Sequence, residues 1–136
     1  MPCPPAPRLF LGLGCRRGCA AEHVAALLDQ VLVAHGLQRE QIAGLASIDL
    51  KAGEPGLLAL AGQLGLALQL YPAARLLACS ARLSQRSARV FAASGCYGVA
   101  ESAALTLADA LGPPPSRLLV TRQTSAMASL AIAITR

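Results

Sequence analysis

The chain has no tryptophan and only four aromatic residues among its 136, Phe10, Tyr71, Phe91 and Tyr97. A core without large rings is filled by small aliphatic side chains, which lets helices lie close to a sheet. Charge is scarce as well: 14% of residues are charged, against 54% hydrophobic. So apolar a composition leaves room for an exposed apolar surface that docks a partner. Lysine occurs once, at Lys51, and the other eleven cations are arginines. The net charge of +5 favours an anionic partner. The arginines are scattered, however, with no basic block and no interleaved aromatics to stack on bases, so nucleic acid is not expected.

Other absences narrow the class further. The five cysteines (Cys3, Cys15, Cys19, Cys79 and Cys96) are odd in number and lack CxxC spacing. That indicates neither a disulfide framework nor a zinc site. Cys19 and His23 stand one helical turn apart, but two ligands are too few to hold a metal, and no metal or cofactor is expected. Residues 1–7 are proline-rich without an apolar core and read as a flexible tail, not a signal peptide. No apolar run reaches transmembrane length, so no membrane partner is expected and the expected compartment is the cytoplasm. There is no internal repeat, and residues 8–136 read as one domain.

What is present is organised around Arg8 to Val24. Leu9 to Leu13 is a short apolar run that suits a buried strand. Gly14-Cys15-Arg16-Arg17-Gly18 follows as a loop. From Ala20 to His35 the pattern is helical, with Val24, Leu27, Leu28, Val31 and Leu32 on one stripe and Gly36 as a stop. Gln38 to Ile42 adds a short turn of helix. Leu45 to Asp49 reads as a second strand. Pro55 opens a helix that carries Leu57, Leu58, Leu60, Ala61 and Leu64, and Gly65 closes it. Leu66 to Leu70 reads as a third strand, and Ala73 to Ala78 as a short helix. Residues 79–89 read as a polar loop, with Ser84 capping a helix that ends near Gly95. A second glycine loop, residues 95–100, feeds a helix from Glu101 to Leu111. Arg117 to Arg122 and Met127 to Thr135 read as strands joined by the polar turn Gln123-Thr124-Ser125-Ala126. Strands alternate with helices until a hairpin closes the chain. The pattern predicts a single three-layer α/β/α domain, with a mostly parallel sheet and a C-terminal antiparallel hairpin.

Candidate site residues collect at strand ends and helix starts. Gly12, Gly14, Cys15, Arg16, Arg17 and Gly18 form a GxGxxxG loop, which departs from the GxGxxG dinucleotide fingerprint and lacks the Walker lysine. Helix-start N–H groups and two guanidinium forks suit a carboxylate or phosphate. Cys15 in that electropositive loop has the setting of an activated thiol, but no histidine other than His23 is near it. Ser47, Asp49, Lys51 and Glu54 gather past the second strand. If that strand continues, Asp49 and Lys51 project to the same side, where they either pair or do acid–base work. Glu101, at a helix start, is either a helix cap or a ligand group. Arg122, Gln123 and Thr124 close the set at the hairpin.

Taken together, four segments resemble a known family. They are Gly-Leu-Gly-Cys-Arg-Arg-Gly at 12–18, Ala-Ser-Ile-Asp-Leu-Lys-Ala-Gly-Glu at 46–54, Gly-Val-Ala-Glu-Ser-Ala-Ala-Leu at 98–105 and Leu-Leu-Val-Thr-Arg-Gln at 118–123. They look like the CobE/CbiG C-terminal family of cobalamin-biosynthesis proteins, over nearly the whole chain from Leu9 to Ile134. The length fits the stand-alone form of that family. The resemblance implies a role in corrin ring assembly. Members of the CbiG type open a ring lactone on a cobalt-precorrin and release a two-carbon fragment; that hydrolysis is not carried over to the stand-alone form. Family members often carry lysine where this chain has Arg122, so the charge is kept but a lysine-based chemistry is not.

The implied ligand is a precorrin or corrin, a flat apolar macrocycle rimmed with carboxylates. Arg16, Arg17, Lys51 and Arg122 suit those carboxylates, and other cobalamin-pathway enzymes are the implied protein partners. Two roles follow. One is a carrier or accessory protein that holds a tetrapyrrole intermediate. The other is an enzyme acting on it, with Asp49, Lys51 or Glu101 in acid–base or hydrolytic roles. An unrelated anion-binding α/β domain is the third reading.

Overall fold

The run Leu9 to Leu13 becomes β1 (Leu9–Cys15), the central strand of a five-stranded sheet. The computed structural model describes residues 8–15, 18, 20–49, 54–77, 99–112, 116–125 and 128–135. The expected tail, the polar loop at 79–89, the helix after Ser84 and most of the second glycine loop lie outside the described residues.

The remaining elements follow in order. They are α1 (Ala21–Ala34), a 3-10 turn (Arg39–Gln41), β2 (Ile42–Ile48), α2 (Pro55–Leu64), β3 (Leu68–Tyr71), α3 (Ala73–Leu77), α4 (Val99–Leu111), β4 (Ser116–Thr124) and β5 (Ala128–Thr135). The glycine stops work as the pattern requires: Gly36 and Gly65 take φ of +65° and +68°, beyond the reach of most side chains. Pro55 stands in the first turn of α2.

The sheet order is β3-β2-β1-β5-β4. β1, β2 and β3 pair in parallel, whereas β5 is antiparallel to both β1 and β4. β4 therefore runs the same way as β1, and the carboxyl ends of four strands share one edge. The chain leaves β1 for β2 and β3, then returns to build β4 and β5 on the other side. In open α/β sheets such a reversal of order opens a crevice at the strands' carboxyl ends.

Each face of the sheet has its own core. On one, Leu9, Leu11 and Leu13 of β1 and Leu130 and Ile132 of β5 pack with the predicted stripe of α1 and with Leu57 and Leu60 of α2. On the other, Phe10, Ala46, Ile48 and Ala133 pack with Leu76 of α3 and with Ala103, Ala104, Leu107 and Ala108 of α4. The three layers, the mostly parallel sheet and the terminal hairpin are as the sequence pattern predicts.

Several boundaries differ. β2 begins at Ile42, three residues before the predicted start, because Leu107 and Leu111 of α4 cover Gly44 and keep it in the strand. It stops at Ile48, so Asp49 lies past its end and the projection of Asp49 with Lys51 loses its basis. β3 is shifted to Leu68–Tyr71, and α4 starts two residues before Glu101. Leu58, expected on the buried stripe of α2, is 49% exposed, since it points away from the sheet that Leu57 and Leu60 cover. Val33 and Leu111 are the other large apolar side chains in the open among the described residues. These three side chains belong to α2, α1 and α4.

Candidate functional site

Both glycines of β1 are covered. A Cβ on Gly12 would lie 1.7 Å from the Ala100 carbonyl oxygen and 2.6 Å from the Ala104 nitrogen. α4 therefore rests on the bare backbone of β1, and Gly12 is a packing position. A Cβ on Gly14 would meet the Ser129 hydroxyl at 2.7 Å, and Ser129 is its partner across β5. Cys15 closes the strand. Beyond it, Gly18 is exposed, with φ +76°.

Gly18 is where two of the predicted segments join. Its N–H donates to Glu54 Oε2 at 3.0 Å, across 36 residues of chain. Glu54 immediately precedes α2 and is only 9% exposed. Near the end of β2, the buried Ser47 hydroxyl donates to the Leu13 carbonyl at 2.6 Å. The ends of β1 and β2 are thus tied together twice, once through main chain and serine and once through main chain and carboxylate. Asp49 is exposed at the same edge.

The other two segments join in the same manner. Glu101, in the first turn of α4, is 1% exposed, and its Oε2 accepts the Arg122 N–H at 2.7 Å. The ladder between β4 and β5 shifts register twice, between Leu118 and Val120 and again between Val120 and Gln123. Such bulges bend a strand and turn backbone groups out of the ladder, and Arg122 lies within the second. α4 also holds the start of β4: the Ser116 hydroxyl donates to the Leu105 carbonyl (3.3 Å), and the Ser116 N–H donates to Asp109 Oδ1 (3.0 Å). Gln123 and Thr124 belong to the strand, not to the turn predicted for them.

Glu54, Glu101, Gly18, Ser47, Asp49 and Arg122–Thr124 therefore reach one end of the sheet, as the four segments require. Arg16, Arg17 and Lys51 lie outside the described residues. Sequence reading passed over two neighbours. Tyr71 ends β3 at the same edge, half-buried, with the Arg75 guanidinium 5.0 Å over its ring. Burial pushes its hydroxyl pKa up, against a smaller lowering by Arg75. The Tyr-Pro pair at a strand end was the available signal. Ser129 carried no signal at all, because only the pairing register sets it beside Gly14.

A groove of about 200 Å³ lies between Leu27, Gln30 and Val31 of α1, His35 just past its end, and Gln123 and Thr124 of β4. Small-molecule pockets usually span several hundred Å³. The groove is smaller than that range. Among the described residues no three His, Cys, Asp or Glu side chains cluster as a metal site would need, and no helix is long and apolar enough to cross a membrane.

Known proteins share this arrangement. Protein CobE from a Sinorhizobium species is 41% identical over 125 residues, covering 92% of this chain and 79% of that one. A crystal structure of CobE, described as a protein from the cobalamin (vitamin B12) biosynthetic pathway, superimposes with a TM-score of 0.91 at 42% identity. It covers 100% of this chain and 96% of that one. Cobalt-precorrin-5A hydrolase from Priestia megaterium is 32% identical over 102 residues, or 75% of this chain but only 27% of that longer protein. Residues 9–133 match the family described as Cobalamin synthesis G C-terminus, and the chain belongs to that family of cobalamin-biosynthesis proteins.

Proposed function

We propose that this protein binds a precorrin or corrin intermediate at the carboxyl edge of its sheet, as a carrier or accessory factor working in the cytoplasm beside other enzymes of the pathway. The observation that carries this reading is convergence. Residues separated by more than 100 positions, from Gly18 to Arg122, are brought to one edge by four strands that point the same way. A carboxylate-rimmed macrocycle needs cations spaced around a broad surface. Arg122 on β4, Arg16 and Arg17 after β1, and Lys51 after β2 provide such a distribution by their places in the chain. An arginine fork is well matched to each carboxylate. The groove beside Gln123 and Thr124 accommodates one peripheral arm.

The test is a visible-absorbance titration of a metal-free corrin, hydrogenobyrinic acid, with purified protein. A saturable spectral shift, weakened in Arg16→Ala, Arg17→Ala and Arg122→Ala, is expected. No shift at tens of micromolar protein, with earlier precorrins tried as well, would remove the tetrapyrrole reading. The enzyme reading is favoured by one observation, the 32% identity to a cobalt-precorrin-5A hydrolase. It predicts a pigment change that survives removal of the protein, whereas a carrier returns the pigment unaltered.

A further inference from the structure

Three carboxylates stand at the candidate site: Asp49 is exposed, whereas Glu54 and Glu101 are turned inward. Glu54 is 9% exposed and Glu101 is 1% exposed. Each accepts a main-chain N–H from a distant segment: Gly18 at 3.0 Å for Glu54, and Arg122 at 2.7 Å for Glu101. Each recipient carries or adjoins a cation of the proposed site, Arg122 itself in one case and Arg17, next to Gly18 in sequence, in the other. We infer that Glu54 and Glu101 are positioning residues: they clamp the two arginine-bearing segments by their backbones and do not themselves touch the ligand.

The chemistry favours this division of labour. A carboxylate facing a carboxylate-rimmed ligand would repel it; one turned into the protein and bonded to N–H groups does not meet it at hydrogen-bond distance. The bond to the main-chain N–H fixes the position of the arginine's Cα. At Arg122 the clamp also explains the second register shift of β4, since an N–H given to Glu101 is turned away from β5. Ser116, bonded to Leu105 and Asp109 of the same helix, makes α4 the template along which β4 is laid.

The binding arm of the test rests on the tetrapyrrole reading, and the exchange arm does not. Amide hydrogen exchange is measured at Arg122 and Gly18 in the parent protein and in Glu101→Gln, Glu101→Ala, Glu54→Gln and Glu54→Ala, beside hydrogenobyrinic acid titrations of each. Glutamine keeps an acceptor oxygen. We expect the glutamine variants to retain amide protection and to bind within about threefold of the parent. The alanine variants are expected to lose protection at the clamped amide and to bind about tenfold or more weakly. If Glu101→Gln keeps the Arg122 amide protected yet abolishes binding, the carboxylate touches the ligand and the inference falls. It falls equally if Arg122 exchanges as slowly in Glu101→Ala as in the parent. Should Glu101→Ala not fold, the glutamine variant and the Glu54 pair decide by the same criteria. A parent that shows protection but binds no pigment overturns the tetrapyrrole reading and leaves the clamps standing.

Discussion

The two faces of the sheet are built on different principles. Beneath α1 and α2, leucine, isoleucine and valine side chains separate helix from strand and fill the gap by interdigitation. Beneath α4 half of the buried side chains are alanine, and at Gly12 backbone meets backbone. The first face derives its stability from buried area, at about 2 kcal/mol for each leucine. The second gains positional accuracy, because at Gly12 no side chain stands between α4 and β1 to give way. It is α4, held on that rigid face, that carries Glu101 to Arg122 and so fixes one side of the site.

The sharpest way to break this comparison is Gly12→Ala. The added methyl has no space against the Ala100 carbonyl, so a loss of about 4 kcal/mol or failure to fold is expected in urea denaturation. A cost under about 1 kcal/mol would mean that α4 slides as readily as α1 and that the faces do not differ. On the opposite face, Leu28→Ala removes a fully buried side chain and leaves a cavity. It is expected to cost about 3 kcal/mol while sparing pigment binding, since side-chain packing there can relax. Loss of binding with full stability would reverse the assignment of the two faces.

Ser47→Ala tests whether the soft face is also tied at its edge. It removes the donor to the Leu13 carbonyl and is expected to cost about 1 kcal/mol. The smallest effect concerns pH. Burial favours the neutral Tyr71 hydroxyl, so its pKa in the fold lies above the ordinary 10.0. The unfolded chain then deprotonates first, and the stability held below pH 10 declines as pH rises through the folded value. Thermal melts above pH 10 should show this decline in the parent protein and less of it in Tyr71→Phe; equal declines would place the effect elsewhere.

Much of the frame was legible because its signals are local. The stripe of α1, Pro55 at the start of α2 and the stops at Gly36 and Gly65 each need only a few adjoining residues to be read. The alternation of strand and helix carried the order of elements, and with it the gathering of four segments at one edge. The start of β2 was not legible, since Leu107 and Leu111 of α4, which cover Gly44, lie far along the chain. The orientation of Glu54 and Glu101 was not legible. A helix-start carboxylate is a cap, a ligand group or a clamp according to what stands opposite it, and here the partners lie 36 and 21 residues away. The double register shift of β4 was hidden for the same reason, as pairing is a property of two strands and not of one.

That double shift has a further consequence. A sheet rim presents open N–H and C=O groups on which another chain can add a strand, and growth of this kind leads to aggregation. The two rims here, β3 and β4, are blunted in different ways. β3 spans four residues, Leu68–Tyr71, too few for a long ladder. β4 spans nine, but its bends break the even spacing that an incoming strand would need, and the Arg122 N–H is already engaged by Glu101. The irregularity at Arg122 thus also caps this rim of the sheet against strand addition.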